Sequence, residues 1–159
     1  MEHEIKKITS FTVDHTKLRE GLYISRVDGD ITTFDLRTRV PNAGDYMDHA
    51  TMHTLEHLFA TYIRNGEIGE QVIYFGPMGC QTGFYLLTRD LAPAVVRHAV
   101  IEALQKVVAH HGEVFGNSAV ECGNYRTLDL VAAQREAAAY LAVLLSRGET
   151  DFSYEGAEK

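Results

Sequence analysis

Hydrophobic positions in this chain recur at two different spacings, and the spacing divides it into helices and strands. Across residues 93–111, Val96, Val100, Leu104 and Val107 form one stripe at helical period, and Gly112 stops it. Across residues 129–147, Ala133, Ala137, Leu141 and Leu144 form a second stripe that ends at Gly148. A third helical stretch covers residues 50–64, with Asn65-Gly66 as its C-cap. β-prone runs occupy residues 8–13, 21–27, 31–40, 71–75 and 84–89. Asp28-Gly29-Asp30 is a hairpin signal, because glycine takes the positive φ that a tight turn needs. Residues 41–48 read as a loop, and residues 76–83 as a glycine-rich one. Strands grouped early and helices paired late predict one α+β domain over residues 1–159. Its architecture is expected to be a two-layer sandwich, a mostly antiparallel sheet packed against helices. An acidic tail over about residues 148–159 is expected to be solvated.

Composition leaves that picture standing and narrows the partners. The 159 residues are 45% hydrophobic and 23% charged, as in an ordinary globular domain. Fifteen basic against 22 acidic residues give a net charge of -7, and no basic stripe stands out. Neither nucleic acid nor an anionic membrane is therefore an expected partner. No apolar run is long enough to span a bilayer, and no apolar stretch follows the first charged residues. The cytoplasm is the expected compartment. There a disulfide between Cys80 and Cys122 is disfavoured, and metal binding or catalysis is the better use of the two thiols. Of the eight histidines, His3, His98, His110 and His111 sit among charged or helix-end residues and are expected to be solvated.

The segment His53-Thr54-Leu55-Glu56-His57 changes the picture most. At the helical rotation per residue, His57 lies about 40° to one side of His53 and Glu56 about 60° to the other. All three share a face, while Met52, Leu55, Leu58, Phe59 and Tyr62 occupy the opposite one. Two imidazoles four residues apart can grip one metal ion, and a carboxylate beside them can act as a base. Cys122, in the loop Glu121-Cys122-Gly123-Asn124-Tyr125, is available as a third ligand. Two imidazoles and one thiolate would leave a tetrahedral ion one open position, which is the mark of a catalytic site. Zn(II) suits that donor set, with Fe(II) or Co(II) as alternatives. Cys80 sits among Gly76, Gly79 and Gly83, where backbone can approach a small ligand, and is a candidate proton carrier or nucleophile.

Spacing alone supports a one-metal enzyme of acid–base or hydrolytic type. One alternative is a small H-x-x-E-H metallopeptidase-like hydrolase, with Glu102, Glu113 or Glu121 as its third ligand. Another is a structural metal protein that binds a partner through its late helices.

Four stretches together resemble one family, S-ribosylhomocysteine lyase (LuxS). They are residues 10–15 (SFTVDH), 33–37 (TFDLR), 53–58 (HTLEHL) and 76–85 (GPMGCQTGFY), with Cys122-Gly123-Asn124 where that family's late metal cysteine is expected. The resemblance covers about residues 8–145. It implies that His53, His57 and Cys122 hold one Fe(II) per subunit, replaceable by Zn(II) or Co(II). It implies no organic cofactor. It makes Glu56 and Cys80 the proton-transfer residues, and Ser10, His15, Arg37, Gly79 and Phe75 substrate-binding positions. It also implies a homodimer with the active site at the subunit interface. The implied reaction cleaves the thioether of S-ribosylhomocysteine by two carbonyl migrations and a β-elimination. Its products are homocysteine, which re-enters the activated methyl cycle, and 4,5-dihydroxy-2,3-pentanedione, the autoinducer-2 precursor of quorum sensing. Tyr74 and Phe75 depart from family members that carry an acidic residue just before the Pro77 loop.

Overall fold

Alternation along one strand sets the layers. In β2 (Ile31–Arg37), Phe34 and Leu36 point to one face and Asp35 and Arg37 to the other. The computed structural model, which describes residues 3–148 and 152–154, pairs β2 with β1 (Gly21–Asp28) on one side and β4 (Gly83–Arg89) on the other. β3 (Val72–Pro77) pairs with β4, so the order is β1-β2-β4-β3 and every pairing is antiparallel. Gly29, at φ +62°, makes the β1–β2 turn. Phe34, Leu36, Phe84, Leu86 and Phe75 form the apolar face.

Three helices cover that face: α1 (His49–Arg64), α2 (Pro93–Val108) and α3 (Leu130–Arg147). Leu55, Leu58, Phe59 and Ile63 of α1 meet the α2 stripe Val96, Val100, Leu104 and Val107 and the α3 residues Ala133, Ala137, Tyr140 and Leu144. Asp48 caps α1 by accepting the Thr51 N–H (2.8 Å), and Asp129 caps α3 through Ala132 (3.1 Å). No helix among the described residues is long and apolar enough to cross a membrane. The expected α+β sandwich is what the chain forms.

Both edge strands are interrupted. β1 carries a bulge between Ile24 and Arg26, and its Ile24 N–H is taken by the Phe152 carbonyl (2.8 Å). β3 carries a bulge between Val72 and Tyr74, and Arg64 donates to the Val72 and Ile73 carbonyls (3.4 and 3.2 Å).

Several expectations are corrected. Residues 8–13 form no strand: a single 3-10 turn, Thr9–Phe11, is closed by the Thr12 hydroxyl on the Thr9 carbonyl, and Phe11 is 70% exposed. A β-prone run without a neighbouring strand has nothing to pair with. β2 stops at Arg37 rather than residue 40, because Thr38 and Arg39 turn their N–H groups onto the Thr82 carbonyl. In α3, Leu141 is only half-buried. Tyr140 and Glu136 are buried instead, Tyr140 donating to the Gly21 carbonyl (2.8 Å) and Glu136 accepting from Arg39 (2.7 Å). Within the expected tail, Phe152 bonds to β1 and Tyr154 stacks on Tyr23 and donates to Asp35 (2.7 Å), so this part is docked. Residues 149–151 and 155–159 lie outside the described residues. His110 is buried, not solvated.

Candidate active site

The Asp48 cap and the apolar stripe of α1 fix the helix's rotation, so His53, Glu56 and His57 face away from the helical core. The loop before α3 brings Cys122 to them. One ligand atom each of His53, His57 and Cys122 lies within 4.8 Å of the others, a separation one ion can span. Cys122 Sγ is 3.4 Å from His53 Nε2 and accepts the Asn124 N–H (3.4 Å).

The far side of each ring settles its tautomer. The Phe115 carbonyl can only accept, so His57 donates its Nδ1–H to it (2.7 Å). The Thr127 hydroxyl donates to the Asn124 carbonyl (3.1 Å) and therefore accepts from His53 Nδ1–H (2.8 Å). Both Nε2 lone pairs are left for an ion, the arrangement in which outer partners orient metal-binding histidines. Burial holds His53 below the ordinary histidine range, with His57 and His49 adding to the effect, which keeps its lone pair available. Gly116, at φ +72°, lets the loop approach: a Cβ there would stand 3.1 Å from His57 Nδ1.

Glu56 and His57 border a cleft of about 340 Å³ with Tyr74, Phe75 and Phe115. Burial raises the Glu56 carboxyl above the usual range, only partly offset by His57, as suits a group that both takes and returns protons. Phe75 stacks on Phe84 (5.0 Å) and lies against Phe59 (4.4 Å), so it is a core residue whose edge forms the cleft wall.

Cys80 lies elsewhere, on the exposed β3–β4 turn. Gln81, at φ +64°, holds that turn through its carbonyl, which accepts the Met47 N–H, and its side-chain amide, which donates to the Met47 carbonyl. Arg37 is pinned by Asp35 (3.1 and 2.7 Å) and donates to Thr82 Oγ1 (2.8 Å). Thr82 Oγ1 in turn shares a hydrogen bond with Cys80 Sγ (3.0 Å), while Arg37 Nη1 stands 3.8 Å from the same sulfur. Ser10, His15, Arg37, Gly79 and Cys80 line one cleft of about 460 Å³, with Phe11, Met78 and Tyr85. His15 donates Nδ1–H to the Val13 carbonyl (2.9 Å), leaving Nε2 as an acceptor.

The expected residues thus collect in two places. His57, Glu56 and Phe75 line one cleft, with His53 and Cys122 grouped beside His57, and the other five line a second cleft with which the first shares no lining residue. Sequence reasoning missed Thr127 and the Phe115 carbonyl, since no spacing rule ties either to a histidine. The carboxylates a peptidase would need are not at the ligand set among the described residues: Glu102 groups with Glu67 and His98, and Glu121 accepts from Ser118.

Comparison with known proteins agrees with this chemistry. The family model described as S-Ribosylhomocysteinase (LuxS) matches residues 8–151. The chain is 44% identical to the S-ribosylhomocysteine lyase of Desulfotalea psychrophila, covering 94% of this chain and 99% of that protein. It is 41% identical to the S-ribosylhomocysteine lyase of Borreliella burgdorferi, at 94% and 99% coverage, and 42% identical to that of Phocaeicola vulgatus, at 94% and 97%. With a match of that extent, and with two imidazoles and a thiol converging from helix and loop, this chain belongs to the LuxS family of S-ribosylhomocysteinases.

Proposed function

We propose that this chain is a carbon–sulfur lyase that cleaves S-ribosylhomocysteine to homocysteine and 4,5-dihydroxy-2,3-pentanedione, working in the cytoplasm as a homodimer. The observation that carries the reading is the convergent His53, His57 and Cys122 donor set in a chain of this family. The donors fit a divalent ion: two neutral imidazoles with oriented lone pairs, and a thiol already accepting a backbone N–H. Fe(II) is the expected resident, one per subunit, with Zn(II) or Co(II) able to substitute. When bound, the ion supplies Lewis-acid stabilisation of negative charge on a substrate oxygen.

The protein's own groups move the protons. Each carbonyl migration removes a proton from one carbon and returns one to its neighbour, and the final elimination removes another. Glu56, in its half-buried cleft, and Cys80, with the Arg37 guanidinium and the Thr82 hydroxyl beside its sulfur, carry these protons. Ser10, His15 and Arg37 hold the polar ends of the substrate, and Gly79 lets backbone come close. A second copy supplies the missing juxtaposition, its Cys80 cleft facing the Glu56 cleft of the first. The exposed Phe11 and Tyr74, one at each cleft, support that arrangement.

The test is to incubate purified protein with S-ribosylhomocysteine and titrate the free thiol released, with and without a chelator. Thiol release that the chelator abolishes is expected. Cys80→Ala should keep its metal and lose turnover, whereas Cys122→Ala should lose the metal. No thiol release, or both variants retaining metal and activity, would overturn the reading.

A further inference from the structure

One buried titratable side chain has no part in this mechanism. His110 stands just past the end of α2, 8% exposed, in the long connection that leads to Cys122. Its Nε2 faces the Glu113 carbonyl (2.8 Å) and its Nδ1 faces the Tyr62 hydroxyl (2.7 Å). A carbonyl cannot donate, so Nε2 carries the proton and Nδ1 accepts from Tyr62. Both nitrogens are therefore engaged, in a place where water competes poorly.

The ring of Phe115 completes the cluster. Its centroid lies 5.3 Å from Tyr62 and 4.9 Å from His110, with Tyr62 and His110 5.8 Å apart. All three pairs meet edge to face, at 75°, 74° and 73°, the geometry aromatic rings favour. Gln134 of α3 fastens the same corner by donating to the His110 carbonyl (2.8 Å). Tyr62 and His57 share α1. A closed circuit results: from His57 to the Phe115 carbonyl, through that residue's ring and the Glu113 carbonyl to His110, and through Tyr62 back to the helix.

We infer that Tyr62 and His110 are positioning residues for His57, holding the Phe115 carbonyl where it fixes that ring's tautomer and direction toward the ion. The inference rests on the metal site proposed above and adds to it the outer support of one ligand. The loop around Gly116 has no regular structure of its own; buried Val114 anchors it to the core, and this cluster sets where the Phe115 carbonyl points. Loss of outer partners of metal-bound histidines weakens metal binding by about 10- to 100-fold, and groups one step further out should fall at or below the low end.

The probe is Co(II), titrated into metal-stripped protein against a competing chelator while the thiolate-to-cobalt absorption band is followed. His110→Leu should weaken Co(II) binding about tenfold and shift the band, and Tyr62→Phe about threefold. His110→Gln places an amide N–H where Nε2–H was, and should recover affinity to within about twofold of the unmodified protein. Melting of the metal-free proteins reports packing separately. If His110→Leu and Tyr62→Phe lower that melting temperature yet leave Co(II) affinity and band unchanged, the cluster is core packing and the inference is wrong. Should His110→Leu fail to fold, Tyr62→Phe, which loses one oxygen and keeps every ring, decides the matter alone. An unmodified chain that takes up no Co(II) would bring down the metal reading itself. Uptake equal in all variants would remove only this inference.

Discussion

Replacing Asp35 with alanine measures how dry the ion pair behind Cys80 is. The Asp35 and Arg37 side chains keep 1% and 3% of their exposure, so both charges are out of water. The guanidinium reaches both carboxylate oxygens, through Nε at 3.1 Å and Nη2 at 2.7 Å. Alanine would leave that charge with the Thr82 hydroxyl and the more distant Cys80 sulfur. Stripping one partner from a buried pair costs about 3–5 kcal/mol, because the other charge stays desolvated. Tyr154 would also lose its acceptor, but it is half-buried and can turn to water, so its share is about 1 kcal/mol or less. A total loss of about 4 kcal/mol is expected from urea unfolding at one fixed protein concentration. The double variant Asp35→Ala with Arg37→Met removes both charges and should regain at least about 2 kcal/mol of that loss. A single-variant loss below about 1 kcal/mol, or a double variant no better than the single, would refute a desolvated pair.

Two further outcomes follow from the same geometry. Thr127→Val removes the acceptor for His53 Nδ1–H at nearly constant volume, so Zn(II) affinity measured by chelator competition should fall about tenfold, while Thr127→Ser retains it. At the start of α1, the Thr51 side chain and backbone hold the Asp48 carboxyl below its ordinary range. A depressed folded pKa contributes stability above the unfolded value and loses it as pH falls through the folded one. Asp48→Ala should therefore cost about 1 kcal/mol at pH 7, and the gap should close below pH of about 4. Urea midpoints at pH 7 and pH 3 check this, and a gap of equal size at both would contradict it.

The site was legible in the sequence where chemistry and periodicity coincide. His53, Glu56 and His57 are read from one helical turn, because the same rotation that buries Leu55 and Leu58 turns them outward. Cys122 lies 69 residues from His53, a distance no periodicity spans; its thiol chemistry made it a candidate ligand, and the family resemblance implied the same role. Thr127, Phe115 and His110 were illegible because their roles arise only when the connection between α2 and α3 folds back over α1. Likewise, ITSFTV has the residues of a strand, yet strand formation is decided by a neighbour the chain does not offer there. Glu136 falls on the buried side of a helix because Arg39, 97 residues away, satisfies it.

The two flanks of the sheet are stoppered by different parts of the chain. At one flank a displaced residue breaks the ribbon and the Phe152 carbonyl takes a donor; at the other a second irregularity breaks it and an arginine from α1 takes two acceptors. Fibre-like growth by strand addition needs an unbroken ribbon of such groups, and neither side offers one.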